Sequence, residues 1–158
     1  IGGCDPIKTW SNAPASKLRD EVAPHVHFAI YQALASPRLE IKRANAEALG
    51  NGVYKVEIGI ANTGWLGTEI SEWAHKNKIG LPLTAEISGA TLIEGAPRVK
   101  LGQLDGRVKF RVSGDAKSDG TPDRVLQSWL IRGEKGQRVT LTATHQRAGV
   151  ASAVVELP

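Results

Sequence analysis

The sequence predicts a mainly β protein, an antiparallel β-sandwich preceded by one long N-terminal α-helix. Three observations carry that prediction. Beyond Pro37, apolar and polar residues alternate with a period of two in one short run after another, the signature of half-buried strands. The runs are separated by turn residues such as Gly50-Asn51-Gly52, Asn62-Thr63-Gly64 and Gly133-Glu134-Lys135-Gly136. Before Pro37 the apolar spacing is instead three and four.

In chain order, residues 1–14 hold two prolines and two glycines and predict an irregular segment, in which Trp10 is expected to pack onto something. From Ser16 to Ser36, the residues Leu18, Val22, Val26, Ala29, Ile30, Ala33 and Leu34 share one stripe of a helix of about five turns. Ser16 is the candidate N-cap, and Asp20 and Glu21 place negative charge where the helix dipole favours it. Pro24 lacks the N–H that bonds one turn back, so a kink or a late start is expected. Ser36-Pro37 ends the helix, because a residue before proline avoids the helical region.

Leu39 and Ile41 then alternate with Arg38, Glu40 and Lys42. This strand is expected to pair, across the glycine-rich hairpin, with the run whose inner side is Tyr54, Val56, Ile58 and Ile60 and whose outer side is Lys55, Glu57, Gly59 and Ala61. A short helix is expected between Thr68 and Asn77, with Ile70, Trp73 and Ala74 facing inward. Further strands are predicted at 81–87, 91–93, 98–101, 107–112, 125–132, 138–145 and 150–157. About eight or nine short strands with almost no helix among them point to an immunoglobulin-like or fibronectin-like sandwich, a barrel being the competitor. The predicted division is residues 1–36, irregular segment and helix, and residues 37–158, sandwich.

The 158 residues are 41% hydrophobic and 23% charged, the composition of a globular protein able to bury roughly two thirds of its unfolded surface. No apolar run approaches the roughly 20 residues of a membrane-spanning helix. The net charge of +4 comes from basic residues interleaved with acidic ones, which argues against a nucleic-acid surface. A lone cysteine, Cys4, precludes an internal disulfide framework. Methionine is absent, and the chain is expected to be a piece of a longer protein.

Ionisable residues are numerous enough to build a site, yet their spacing assigns none. His25 and His27 lie about 200° apart around a helix and cannot converge on one ion. Glu72 and His75 could share a helix face as metal-binding pairs do, but no second pair accompanies them, so a solvated face is the reading adopted. Asp115, Asp119 and Asp123 read as a turn-rich loop rather than a calcium site, and His145 as a turn residue. There is no Gly-x-Ser-x-Gly elbow, and the glycines punctuate hairpins without forming a phosphate loop. No catalytic, cofactor-binding or metal-ligating residue is assigned. Of the four tryptophans, Trp65 is the one expected to be exposed.

Two stretches, IGGCDPIKTWSNAP followed by a helix ending ALASPRLEI, and LGNGVYKVEIGIANTGWLGT, together resemble the C-terminal portion of bacterial zinc carboxypeptidases of the carboxypeptidase A type. The resemblance implies a catalytic α/β domain followed by a β-sandwich. Residues 1–36 would then be the tail of the catalytic domain and residues 37–158 the accessory sandwich, with the family's catalytic glutamate one residue before Ile1. It also implies that the zinc cofactor belongs to the parent's catalytic domain, since the family's His-x-x-Glu pair does not occur in this sequence. The implied partner is that upstream domain of the same polypeptide, met through Trp10, Leu18, Val22, Val26, Ile30 and Trp65. A second copy pairing through the helix is the other expected cover for its apolar stripe; neither nucleic acid nor a membrane span is expected. A glycan- or protein-binding module of the cell-surface type is the alternative that the 58–64 strand-to-turn pattern also suits.

Overall fold

The computed structural model describes residues 13–69, 71–107 and 122–158, apart from the side chains of Glu72 and His75. The chain divides into two units, Ile1–Ala35 and Ser36–Pro158.

In the first unit, helix α1 runs from Leu18 to Leu34. It is entered through a turn in which the Lys17 and Leu18 N–H groups both donate to the Pro14 carbonyl. The capping position therefore falls on Lys17, whose side chain makes no cap bond, and not on Ser16. Of the two outcomes expected at Pro24, a kink or a late start, the late start does not occur: α1 begins six residues before Pro24 and continues through it. None of its residues is buried. Leu18, Val22, Val26 and Ile30 are exposed, and so are Phe28 and Tyr31, which lie off the predicted stripe and widen the apolar surface.

The second unit is an antiparallel β-sandwich of two four-stranded sheets. Its strands are β1 (Leu39–Gly50), β2 (Val53–Asn62), β3 (Leu83–Ser88), β4 (Thr91–Leu92), β5 (Arg98–Gly102), β6 (Arg124–Arg132), β7 (Arg138–His145) and β8 (Gly149–Glu156), with a short helix α2 (Glu72–Lys76) between β2 and β3. One sheet has the order β1-β2-β6-β4 and the other β5-β3-β7-β8. The first hairpin forms as its sequence dictates: Gly50 pairs with Val53, and Asn51 and Gly52 both adopt positive φ, the requirement of a two-residue turn matched to strand twist.

Between the sheets lie Tyr54, Val56, Ile58 and Ile60 from β2, Trp129 and Ile131 from β6, Leu83, Ala85 and Ile87 from β3, and Val139, Leu141 and Ala143 from β7. Each is the inward member of an alternating run, so the strand pattern directly specifies the core. The Trp129 indole N–H reaches the Ala96 carbonyl at 3.2 Å, which satisfies its polar atom within the core.

Two expectations are corrected, and a third falls outside the described residues. The outer side of β2 is only partly solvated: Lys55 and Gly59 are half-buried, and Glu57, with strands on both sides, keeps only 8% of its surface exposed. The short helix is five residues long, and Trp73 points outward. The strand predicted at 107–112 falls almost wholly outside the described residues, as do Trp10 and Ile70. No helix among the described residues is long and apolar enough to cross a membrane.

Candidate functional site

The polar chemistry of the sandwich concentrates at the end where β1 begins. Asn62, the last residue of β2, is 1% exposed and uses its whole amide. Its Oδ1 accepts from the backbone N–H of Arg38 and of Gly64, each at 3.0 Å. Its Nδ2 donates to the carbonyls of Leu66, at 2.8 Å, and Asp105, at 3.1 Å. One short side chain thereby joins the start of β1, the loop after β2 and the loop after β5. The fit leaves no spare room: a Cβ on Gly64 would stand 2.2 Å from the Ser36 carbonyl oxygen, and one on Gly106 2.2 Å from that of Trp65.

A second network lies beside it. Thr68, also 1% exposed, donates its hydroxyl to Gln103 Oε1 at 2.7 Å and accepts from the Leu104 N–H at 2.8 Å. Gln103 Oε1 also meets His145 Nε2 at 3.1 Å, while its Nε2 donates to the Leu81 carbonyl. His145 Nδ1 accepts from the N–H groups of Arg147 and Ala148, at 3.2 and 3.3 Å. Two donors on Nδ1 place the ring proton on Nε2, so the imidazole is neutral. Burial lowers its pKa from the ordinary value, the Arg147 charge adds to that, and the Leu81 carbonyl partly offsets it. His145 is thus a buried organiser of the turn that follows β7, and the description of it as a simple turn residue is incomplete.

These bonds fix the base of the segment between β2 and β3, whose outer surface carries apolar side chains. Trp65 is 52% exposed and Leu66 49%. Trp73, Ile79 and Leu81 in the same segment are exposed as well. A rigid base beneath exposed tryptophan and leucine is an arrangement suited to contact with another surface.

Two carboxylates, Glu40 on β1 and Glu57 on β2, are engaged by neighbouring cations. Glu40 accepts from Arg38 at 2.8 Å, from the Thr63 hydroxyl at 2.9 Å and from Lys42. Lys42 and Thr63 hold its pKa down to about 2. Glu57 lies between Lys55, at 2.7 Å, and Arg43, at 2.9 Å, and the Lys55 ammonium holds its pKa below the usual range. A shallow depression of about 520 Å³ on the outer face of β2 and β6 is lined by Lys42, Arg43, Gly59, Arg124 and Leu126. Its arginines are already bound, Arg43 by Glu57 and Arg124 by Asp123.

Of the residues singled out in the sequence, Leu18, Val22, Val26 and Ile30 lie together along α1, and Trp65 lies in the loop after β2. Trp10, Asp115 and Asp119 lie outside the described residues, as do the side chains of Glu72 and His75. Asp123 pairs with Arg124 through two hydrogen bonds. Among the described residues no three His, Cys, Asp or Glu side chains gather closely enough to hold a metal ion. Sequence reasoning missed Thr68 and Gln103, which meet only through the fold. The one local signal was a histidine closing a strand just before the turn Gln146-Arg147-Ala148.

No curated protein matches the chain. A family model described as a domain of unknown function, DUF8731, matches residues 38–156, from the residue bonded to Asn62 Oδ1 to the last residue of β8. That match spans most of the chain, and the protein belongs to the DUF8731 family.

Proposed function

We propose that this chain is a non-catalytic C-terminal portion of a zinc-dependent metallocarboxypeptidase, whose parent removes C-terminal residues from peptides. Its sandwich acts as an accessory domain that braces the catalytic domain or shapes access to its cleft. The observation that carries this reading is the order of parts. An opening stretch resembling that family leads into an apolar helix with no buried residue, followed by a sandwich in which Glu57 pairs with Arg43 and Asp123 with Arg124. An α-helix with so much uncovered apolar surface is suited to packing on another domain, at about 25 cal/mol for each Å² removed from water. Zinc, in this reading, is held by the parent's catalytic domain.

The test begins with the gene. The reading expects a His-x-x-Glu pair upstream and a glutamate immediately before Ile1. The protein of residues 1–158, incubated with zinc and C-terminal peptide substrates, is expected to release nothing. Chelator-sensitive release of a terminal residue overturns the reading.

A second reading, a glycan- or protein-binding module, is favoured by the half-exposed Trp65 and Leu66 on their fixed loop. Binding to glycan or cell-wall material that disappears in Trp65→Ala would select it.

A further inference from the structure

We propose that His145 is an acid-sensitive latch: protonation of its ring releases the turn at 146–148, and with it the start of β1 and the loop carrying Trp65. His145 is 4% exposed, and each of its ring nitrogens is committed in the neutral form. A second proton must sit on Nδ1, facing the Arg147 and Ala148 N–H groups that now donate to it. One acceptor would become a third donor, and the two backbone bonds would be lost together.

The consequences spread along bonds already described. The Ala148 carbonyl accepts from the Leu39 N–H at 3.0 Å, so the turn holds the first residue of β1. Gln103 Oε1 is shared between His145 and Thr68, and the Arg147 guanidinium reaches the Thr68 carbonyl at 3.5 Å, so the same turn holds the loop after β2. The charged residues on the surrounding segments are Arg38 and Glu40 at the start of β1, Glu69 beside Gln103, Asp105 and Arg107 after Gln103, and Arg147 on the turn itself. Arg147 is the one whose charge acts on the ring, and it opposes a second positive charge there. The direction follows: the unfolded or opened segment takes up a proton more readily than the closed one. The closed state is therefore fully favoured above about pH 6.5 and loses that advantage as the pH falls.

The experiment is hydrogen exchange on the protein of residues 1–158 between about pH 7.5 and 4.5, corrected for the intrinsic pH dependence of exchange. Protection at the Leu39, Thr68, Arg147 and Ala148 amides is expected to fall about tenfold or more on acidification, tracking the titration of the His145 ring by NMR. The Ile58 amide, in the middle of β2, is expected to keep its protection. In His145→Asn, Oδ1 replaces Nδ1 as a non-titrating acceptor, and the fall is expected to vanish. Constant protection to pH 4.5, a midpoint different from that of the ring, an equal fall in His145→Asn, or simultaneous loss at Ile58 would each overturn the proposal. If His145→Asn does not fold, comparing the amide and ring midpoints in the native sequence decides it.

Discussion

Asn62 Nδ2 donates to the Asp105 carbonyl at 3.1 Å across 43 positions of sequence, and this bond closes the end of the sandwich at which β1 begins. With its three companions, it makes Asn62 a hub whose replacement is more costly than its size suggests. Asn62→Ala leaves two N–H and two C=O groups to find water in a tight loop, and is expected to lose about 2–4 kcal/mol of stability. Asn62→Asp keeps the shape but turns a donor into an acceptor aimed at two carbonyls. It is expected to be less stable than the alanine variant at pH 7, as read from urea midpoints. An aspartate variant as stable as the native protein would show that these bonds contribute little.

Gly64 is constrained by close approach and not by φ. Gly64→Ala drives a methyl into the backbone of Ser36 and Pro37 and is expected to cost about 2 kcal/mol or more. Gly102→Ala is the control: its Cβ meets open space, but φ is +83°, so it is expected to cost about 1 kcal/mol. Chemical denaturation of the two variants separates crowding from backbone strain.

Acid stability is set in part by Glu40 and Glu57. Both carboxyls titrate below their ordinary value in the folded protein, Glu40 at about 2. Each therefore contributes stability that is present above the unfolded value and lost as the pH falls through the folded one. Thermal melts are expected to show Tm declining below about pH 4.5. Glu57→Gln is expected to lower Tm at pH 7, because Lys55 and Arg43 lose their partner, and to make the acid decline shallower.

Two tryptophans offer a contrast between core and surface. Trp129→Phe removes a buried ring and the bond to Ala96, and is expected to cost about 2 kcal/mol. Trp65→Ala is expected to change stability by no more than about 0.5 kcal/mol, because half of the side chain is already in water. A large loss at Trp65 would mean that it holds the fold and is not available to a partner.

The sandwich was legible because alternation is a local property. Strand β7 occupies the predicted span, and the inward residues of β2 are the predicted ones, because side-chain direction follows from the pleat alone. What alternation could not show was how many neighbours a strand has. Glu57 is enclosed because β1 and β6 crowd it from both sides, a fact of strand order. Trp73 was placed inward by its apolar character, yet five residues of helix in a loop have little core to face. The start of α1 shifted because Pro14 supplied a backbone carbonyl where a serine cap was expected. Thr68, Gln103 and His145 belong to three separate segments, so their union was invisible in any window of sequence.

The order of strands within the sheets constrains how this protein is made. β2 and β3 each need a partner from the far end of the chain, β6 for one and β7 for the other. On the ribosome, each of them has one bare flank until that later strand has emerged. Neither layer can therefore close before β6 and β7 have been made, and a product stalled between β3 and β6 would present open strand edges to whatever lies nearby.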